Sequence, residues 1–131
     1  VKVYMDKVIN EARENGYVET ILGRRRYLRD INSRNATMRG FAERNAINAP
    51  IQGSAADLIK IAMINIQDYM LKENLRSKMV LQVHDELVFD VYKPEVEAIK
   101  PLIKSEMEEA YTLTVPLKVD IGTGSNWLEA H

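Results

Sequence analysis

SKMVLQVHDELVFDVY, Ser77 to Tyr92, is the stretch from which the fold is read. Two apolar arms rich in β-branched residues flank His84, Asp85 and Glu86, the pattern of a β-hairpin with a polar tip. Adjacent carboxylates repel each other, and neither is stable beside a buried apolar strand. A solvated tip is the commoner fate of an Asp-Glu pair at a turn. The alternative is a metal site. A regular strand sends successive side chains to opposite faces, but a turn relaxes that alternation, so Asp85 can project toward a ligand. Oxygen donors suit hard cations, magnesium above all where substrate phosphates complete the shell. One hairpin rarely supplies a two-ion clamp alone.

Before the hairpin, AADLIKIAMINIQDYMLKE, Ala55 to Glu73, is apolar around much of a helical circumference and reads as the core pillar. Ser54 followed by Asp57 resembles a capping box opening that helix, and Pro50 is expected to end or interrupt an earlier one running from about Asn35 to Asn48. Val1 to Asn15 has the 3–4 spacing of an amphipathic helix, stopped at Gly16. YVETILG, from Tyr17, reads as a short strand broken at Gly23. RRRYLRDINSRN, Arg24 to Asn35, lacks periodicity and reads as loop and turn. After the hairpin, Pro94 opens a helix through Tyr111, with Pro101 expected to kink it or delay its start. VPLKVDIG, from Val115, alternates as a third strand. The pattern predicts an α+β fold: a helical front, then a small antiparallel sheet backed by two helices.

The 131 residues suffice for one modest domain, and the absence of cysteine excludes disulfides, zinc thiolates and thiol nucleophiles. No apolar run reaches membrane-span length, no signal peptide is evident, and no membrane partner is expected. A chain opening on Val1 inside a helical pattern reads as a piece of something longer, and a reducing cytoplasm is the expected compartment. The net charge of −1 hides an asymmetry: Arg24 to Arg44 holds seven arginines against Asp30 and Glu43, on an otherwise acidic chain. Arginine suits forked contacts with phosphate, although arginines also decorate ordinary solvated helices. Arg44, Asn48 and Gln52 fall four apart, one stripe if the helix is continuous. All three can donate hydrogen bonds, and every base pair offers acceptors in the minor groove. Such donors can test pair geometry without reading sequence.

GYVETILGRRRYLRDINSRN, AERNAINAPIQGSAADLIKIAM, LQVHDELVFD and VPLKVDIGTGSNW, in that order, resemble the carboxy-terminal part of the polymerase domain of the bacterial family A DNA polymerases. The resemblance covers essentially the whole chain, and GSNWLEAH looks like the family's natural ending. It implies part of a right-hand polymerase fold, with residues 1–48 as the end of the fingers and 49–131 as a portion of the palm. It implies a template-directed DNA polymerase that adds dNTPs to a primer 3′-hydroxyl on primer–template DNA, in replication or repair, in the bacterial cytoplasm. Asp85 then corresponds to one of two aspartates that hold the magnesium pair. Glu86 is an accessory acid, and His84 lies near the primer terminus. Arg44, Asn48 and Gln52 match residues along the minor groove; Arg24, Arg25 and Arg26 fall near the template strand. The second aspartate and the dNTP-binding fingers helix belong to an amino-terminal portion absent from these residues, so the segment alone is expected to be inactive. A dimer covering its bare face would be non-physiological. A non-catalytic nucleic-acid-binding module and a metal-dependent nuclease remain the competing readings.

Overall fold

The computed structural model describes residues 1–131, which form two compact units, Val1–Asp57 and Leu58–His131. No helix is long and apolar enough to cross a membrane.

In the first unit, α1 (Lys2–Asn15) ends as its sequence requires, with Gly16 left-handed at φ 80° and its N–H bonded to the Ala12 carbonyl. The chain then forms an antiparallel ribbon of β1 (Tyr17–Glu19) and β2 (Arg25–Tyr27), in register Tyr17↔Tyr27 and Glu19↔Arg25. The arginine-rich stretch expected to be loop therefore contains a strand. Its cross-strand contacts are specific: Arg25 pairs with Glu19 at 3.2 Å and lies over the Tyr17 ring, 4.3 Å from its centroid. Such pairing partners lie outside the segment, where local periodicity does not register them. Val8, Ala12, Val18, Leu28, Ile31, Ala42 and Ala46 form the buried core of this unit.

Helix α2 (Ala36–Lys72) corrects the expectation of two helices parted near Pro50. It starts where expected, with the Asn35 side chain accepting from the Thr37 and Met38 backbone N–H groups. It then runs through Pro50 without a break. An interior proline removes one backbone bond and costs about 3 kcal/mol, but the turns on either side are fixed independently. Ala42 and Ala46 are packed in the core, while Ser54 and Asp57 are bonded to the turn after β1. Ser54 and Asp57 are thus not a capping box. They cap the backbone of another segment. The helix ends in a Schellman turn: Asn74 is left-handed at φ 51°, its N–H bonds the Leu71 carbonyl, and the Leu75 N–H bonds that of Met70.

In the second unit, β3 (Lys78–Val83) and β4 (Glu86–Asp90) form the expected hairpin. Ile66 and Met70 of α2 pack with Ile99 and Ile103 of α3 (Val96–Glu108), and Leu87, Phe89 and Val91 pack against them. Two helices therefore back the hairpin. A 3-10 turn, Lys93–Glu95, precedes α3, which ends at Glu108 rather than Tyr111. Pro101 sits inside α3 and neither ends it nor delays its start. Glu95 fastens the hairpin base, accepting from the Arg76 N–H, the Ser77 N–H and the Ser77 hydroxyl, whose oxygen in turn accepts from the Tyr92 N–H. The Ser77 hydroxyl, then the Arg76 amide, hold the Glu95 carboxyl below its ordinary pKa.

The expected third strand does not form. Leu117 and Val119 are half-buried and Lys118 and Asp120 exposed, so the alternation is real, but the segment joins no ladder. A strand needs a hydrogen-bonded neighbour as well as a pattern. The sheets are accordingly two separate two-stranded ribbons. A short helix not anticipated from sequence, α4 (Trp127–Ala130), closes the chain, with the Asn126 side chain accepting from the Glu129 N–H.

Candidate functional site

At the hairpin tip, Val83 faces Glu86 in register, leaving His84 and Asp85 as a two-residue turn, both exposed. His84 has φ 55°, and Asp85 does not have positive φ. A left-handed first central residue matches the twist of the flanking strands. That position favours glycine, so a histidine there holds backbone strain of about 1 kcal/mol. Asp85 follows as the outermost carboxylate. Glu86 already belongs to β4, and strand alternation puts it on the face opposite Leu87 and Phe89, which pack into the core. There its Oε1 is 3.0 Å from His131 Nε2. The turn thus separates the two adjacent acids, with Asp85 at the apex and Glu86 on a strand face.

A bulge lies behind the tip. Met79 opposes Phe89 and Leu81 opposes Val88, so Val80 is an extra residue in β3. Bulges bend a strand and increase its twist, and so re-aim what lies beyond. Asp85 takes part in none of the ion pairs. No group of three or more His, Asp or Glu side chains is placed to hold a metal ion. The donors at the tip have the right chemistry for a hard cation, but they do not make an octahedral shell without ligands from elsewhere.

In the first unit, the continuity of α2 makes the Arg44–Asn48–Gln52 spacing a true stripe, and all three side chains are exposed. Ala42, Ala46 and Asp57 are buried on the other side of the same helix. At 100° per residue the two sets lie on opposite faces. The stripe faces solvent because its opposite face is held by the core. Arg44 lies near the Phe41 ring, its guanidinium carbon 6.0 Å from the centroid.

The three consecutive arginines have different environments. Arg24 Nε donates to Asp57 Oδ1 at 2.6 Å, and its Nη2 donates to the Gly53 carbonyl at 3.2 Å. Arg25 is paired with Glu19. Arg26 is exposed and enters no ion pair. Asp57, 2% exposed, is the buried acid of the chain and was not singled out from sequence as a site residue. Besides Arg24 it accepts from the Leu22 N–H at 3.3 Å. The Thr20 hydroxyl, more than Arg24 and Leu22, holds its carboxyl below the ordinary range, against the opposing effect of burial. An acid flanked by the apolar run Ala55, Ala56, Leu58 and Ile59 was the one available signal. Thr20, Arg24 to Arg26, Pro50 and Gln52 line a cavity of about 300 Å³.

The chain matches DNA polymerase family A over residues 1–129. It is 56% identical over 130 residues to the DNA polymerase I of Lactococcus lactis subsp. cremoris, covering 99% of this chain and 15% of that protein. The DNA polymerase I of Geobacillus stearothermophilus is 53% identical over the same shares. Among solved structures, the POL domain of Pol1 from M. smegmatis, in complex with DNA primer–template and dNTP, matches with a TM-score of 0.96 at 49% identity. That match covers 98% of this chain and 23% of the solved one. The chain therefore spans only a small part of the length of the relatives it matches.

Proposed function

The chain belongs to DNA polymerase family A, and from that membership we propose that it is the carboxy-terminal segment of a bacterial template-directed DNA polymerase that extends primers with dNTPs in replication or repair. In this reading residues 1–48 are the end of the fingers and 49–131 part of the palm. The observation that carries the reading is the placement of Asp85: the exposed apex of a strained turn, on a hairpin backed by two helices. An exposed carboxylate at a turn apex, on a rigid support, is placed where it could serve as a metal ligand.

Asp85, with carboxylates from other parts of the polymerase, would hold Mg²⁺, which supplies the Lewis-acid chemistry of phosphoryl transfer. The remaining work is done by the chain's own residues. Glu86 serves as an accessory acid and His84 lies against the primer terminus. Arg44, Asn48 and Gln52 donate to the minor groove of the primer–template, where purine N3 and pyrimidine O2 accept at every correctly formed pair. Arg24, Arg25 and Arg26 lie near the template strand. The segment by itself is expected to be inactive, because a single apical carboxylate cannot form the symmetric clamp that phosphoryl transfer uses.

The test is primer extension by the full-length parent with Mg²⁺ and four dNTPs, wild type beside Asp85→Ala, with duplex binding measured in parallel. Extension lost and binding retained is the expected result. Extension that survives the substitution would refute the catalytic assignment and leave a duplex-binding module.

A further inference from the structure

We propose that Arg24 and Asp57 form a positioning pair for duplex binding: the Arg24 guanidinium bonds to the protein itself, fixing where the β1–β2 turn presents Arg25 and Arg26 beside Gln52. The inference rests on the polymerase reading above; it makes Arg24, placed there near the template strand, a positioning residue and gives Asp57 a role it did not have.

Four contacts join the turn to one face of α2. Pro50, Gly53, Ser54 and Asp57 fall at i, i+3, i+4 and i+7, so they share that face. The Ile21 N–H donates to Ser54 Oγ at 2.9 Å and the Leu22 N–H to Asp57 Oδ2 at 3.3 Å. Arg24 adds its Nε bond to Asp57 and its Nη2 bond to the Gly53 carbonyl. Gly53 lets the two segments meet closely, since a Cβ there would come 2.5 Å from Thr20 Cγ2. The turn is itself closed by the Gly23 N–H bonding the Thr20 carbonyl and the Thr20 N–H bonding that of Arg24.

An arginine that binds phosphate presents its fork to solvent. Two donors of the Arg24 guanidinium, Nε and Nη2, are engaged by the protein, and its charge is matched by a carboxylate only 2% exposed. Turning it toward a phosphate would leave Asp57 buried and unpaired, which is strongly unfavourable. Arg26, two residues along the chain and outside every ion pair, bears no such constraint. The pair therefore sets the position of the neighbouring arginines against the helix that carries Gln52.

Salt dependence separates positioning from contact. Each phosphate neutralised contributes close to one unit to the slope of log affinity against log salt. In the full-length parent, binding of a fluorescent primer–template is measured across a salt series by anisotropy. Arg24→Gln is expected to weaken binding about tenfold, the equilibrium equivalent of one charge-assisted hydrogen bond, with the slope unchanged. Arg26→Gln is expected to lower the slope by about one. Asp57→Asn should reproduce the Arg24→Gln loss, and the double variant should bind no worse than either single one. If Asp57→Asn does not fold, the slope of Arg24→Gln, whose side chain is half-exposed, decides alone. A slope lowered by about one in Arg24→Gln, an unchanged affinity, or additive losses in the double variant would overturn the positioning role. A wild-type parent that neither binds duplex nor extends primers would instead sink the polymerase reading on which it rests.

Discussion

Replacing Gly53 by alanine sets two known effects against each other at one position. In a helix interior alanine is favoured over glycine by about 1 kcal/mol, and Gly53 lies well inside α2. Its new methyl would stand 2.5 Å from Thr20 Cγ2, closer than real methyl contacts. Thr20 cannot turn the methyl away freely. Its Oγ1 accepts from the Arg24 N–H at 3.2 Å and its hydroxyl supports Asp57, and a β-branched side chain has few alternative rotamers. Overpacking of this kind costs about 1–3 kcal/mol, so Gly53→Ala is expected to destabilise the junction by roughly 0–2 kcal/mol net. Thr20→Ser removes Cγ2 and keeps the hydroxyl. In that background Gly53→Ala should become stabilising by up to about 1 kcal/mol, giving a coupling of about 1–3 kcal/mol between the two positions. The assay is native-state hydrogen exchange of the Ile21 and Leu22 amides in the parent polymerase, because these amides bond Ser54 and Asp57 and report local opening. Slower exchange in Gly53→Ala than in wild type, with no effect of adding Thr20→Ser, would refute the close approach of turn and helix.

Acid titration gives a second expectation. The Asp57 pKa is lowered in the folded chain, chiefly by the Thr20 hydroxyl, so its contribution to stability is fully present above the ordinary value of about 3.9 and is lost as pH falls through the folded one. Asp57→Asn should therefore be less stable than wild type at neutral pH, with the gap closing below about pH 4; an equal gap at pH 7 and pH 3 by denaturant unfolding would contradict an ionised, hydrogen-bonded Asp57. At the tip, His84→Gly should leave the melting temperature unchanged or slightly raised, since glycine adopts φ 55° without strain. Primer extension should nevertheless fall in that variant, and undiminished extension would confine His84 to a turn role.

The order of helices and the hairpin was legible because each rests on local chemistry. Gly16 stops α1 through its own backbone, Asn35 starts α2, and the alternation around His84, Asp85 and Glu86 marks a turn between two apolar arms. Pro50 misled because an interior proline ends a helix in isolation, whereas here the turns on both sides are anchored elsewhere. Ser54 and Asp57 have the spacing of a cap, and no local signal indicates that they cap residues some thirty positions upstream.

What the sequence determined by itself was the chemistry each residue can offer: a carboxylate at the apex of a turn, donors four apart, and arginines in a row. Spacing and side-chain type are enough for that, because capping, turn formation and helical periodicity act over a few residues. What only the tertiary structure decided was which of those groups remain available. Asp57 is buried and Arg24 is engaged by it, while Arg26 and the Arg44–Asn48–Gln52 stripe are exposed and enter no ion pair. The half-buried alternation of Leu117 and Val119 gained no strand partner. Those outcomes depend on where distant segments meet, and an ion pair, a ladder or a close glycine contact exists only after they do.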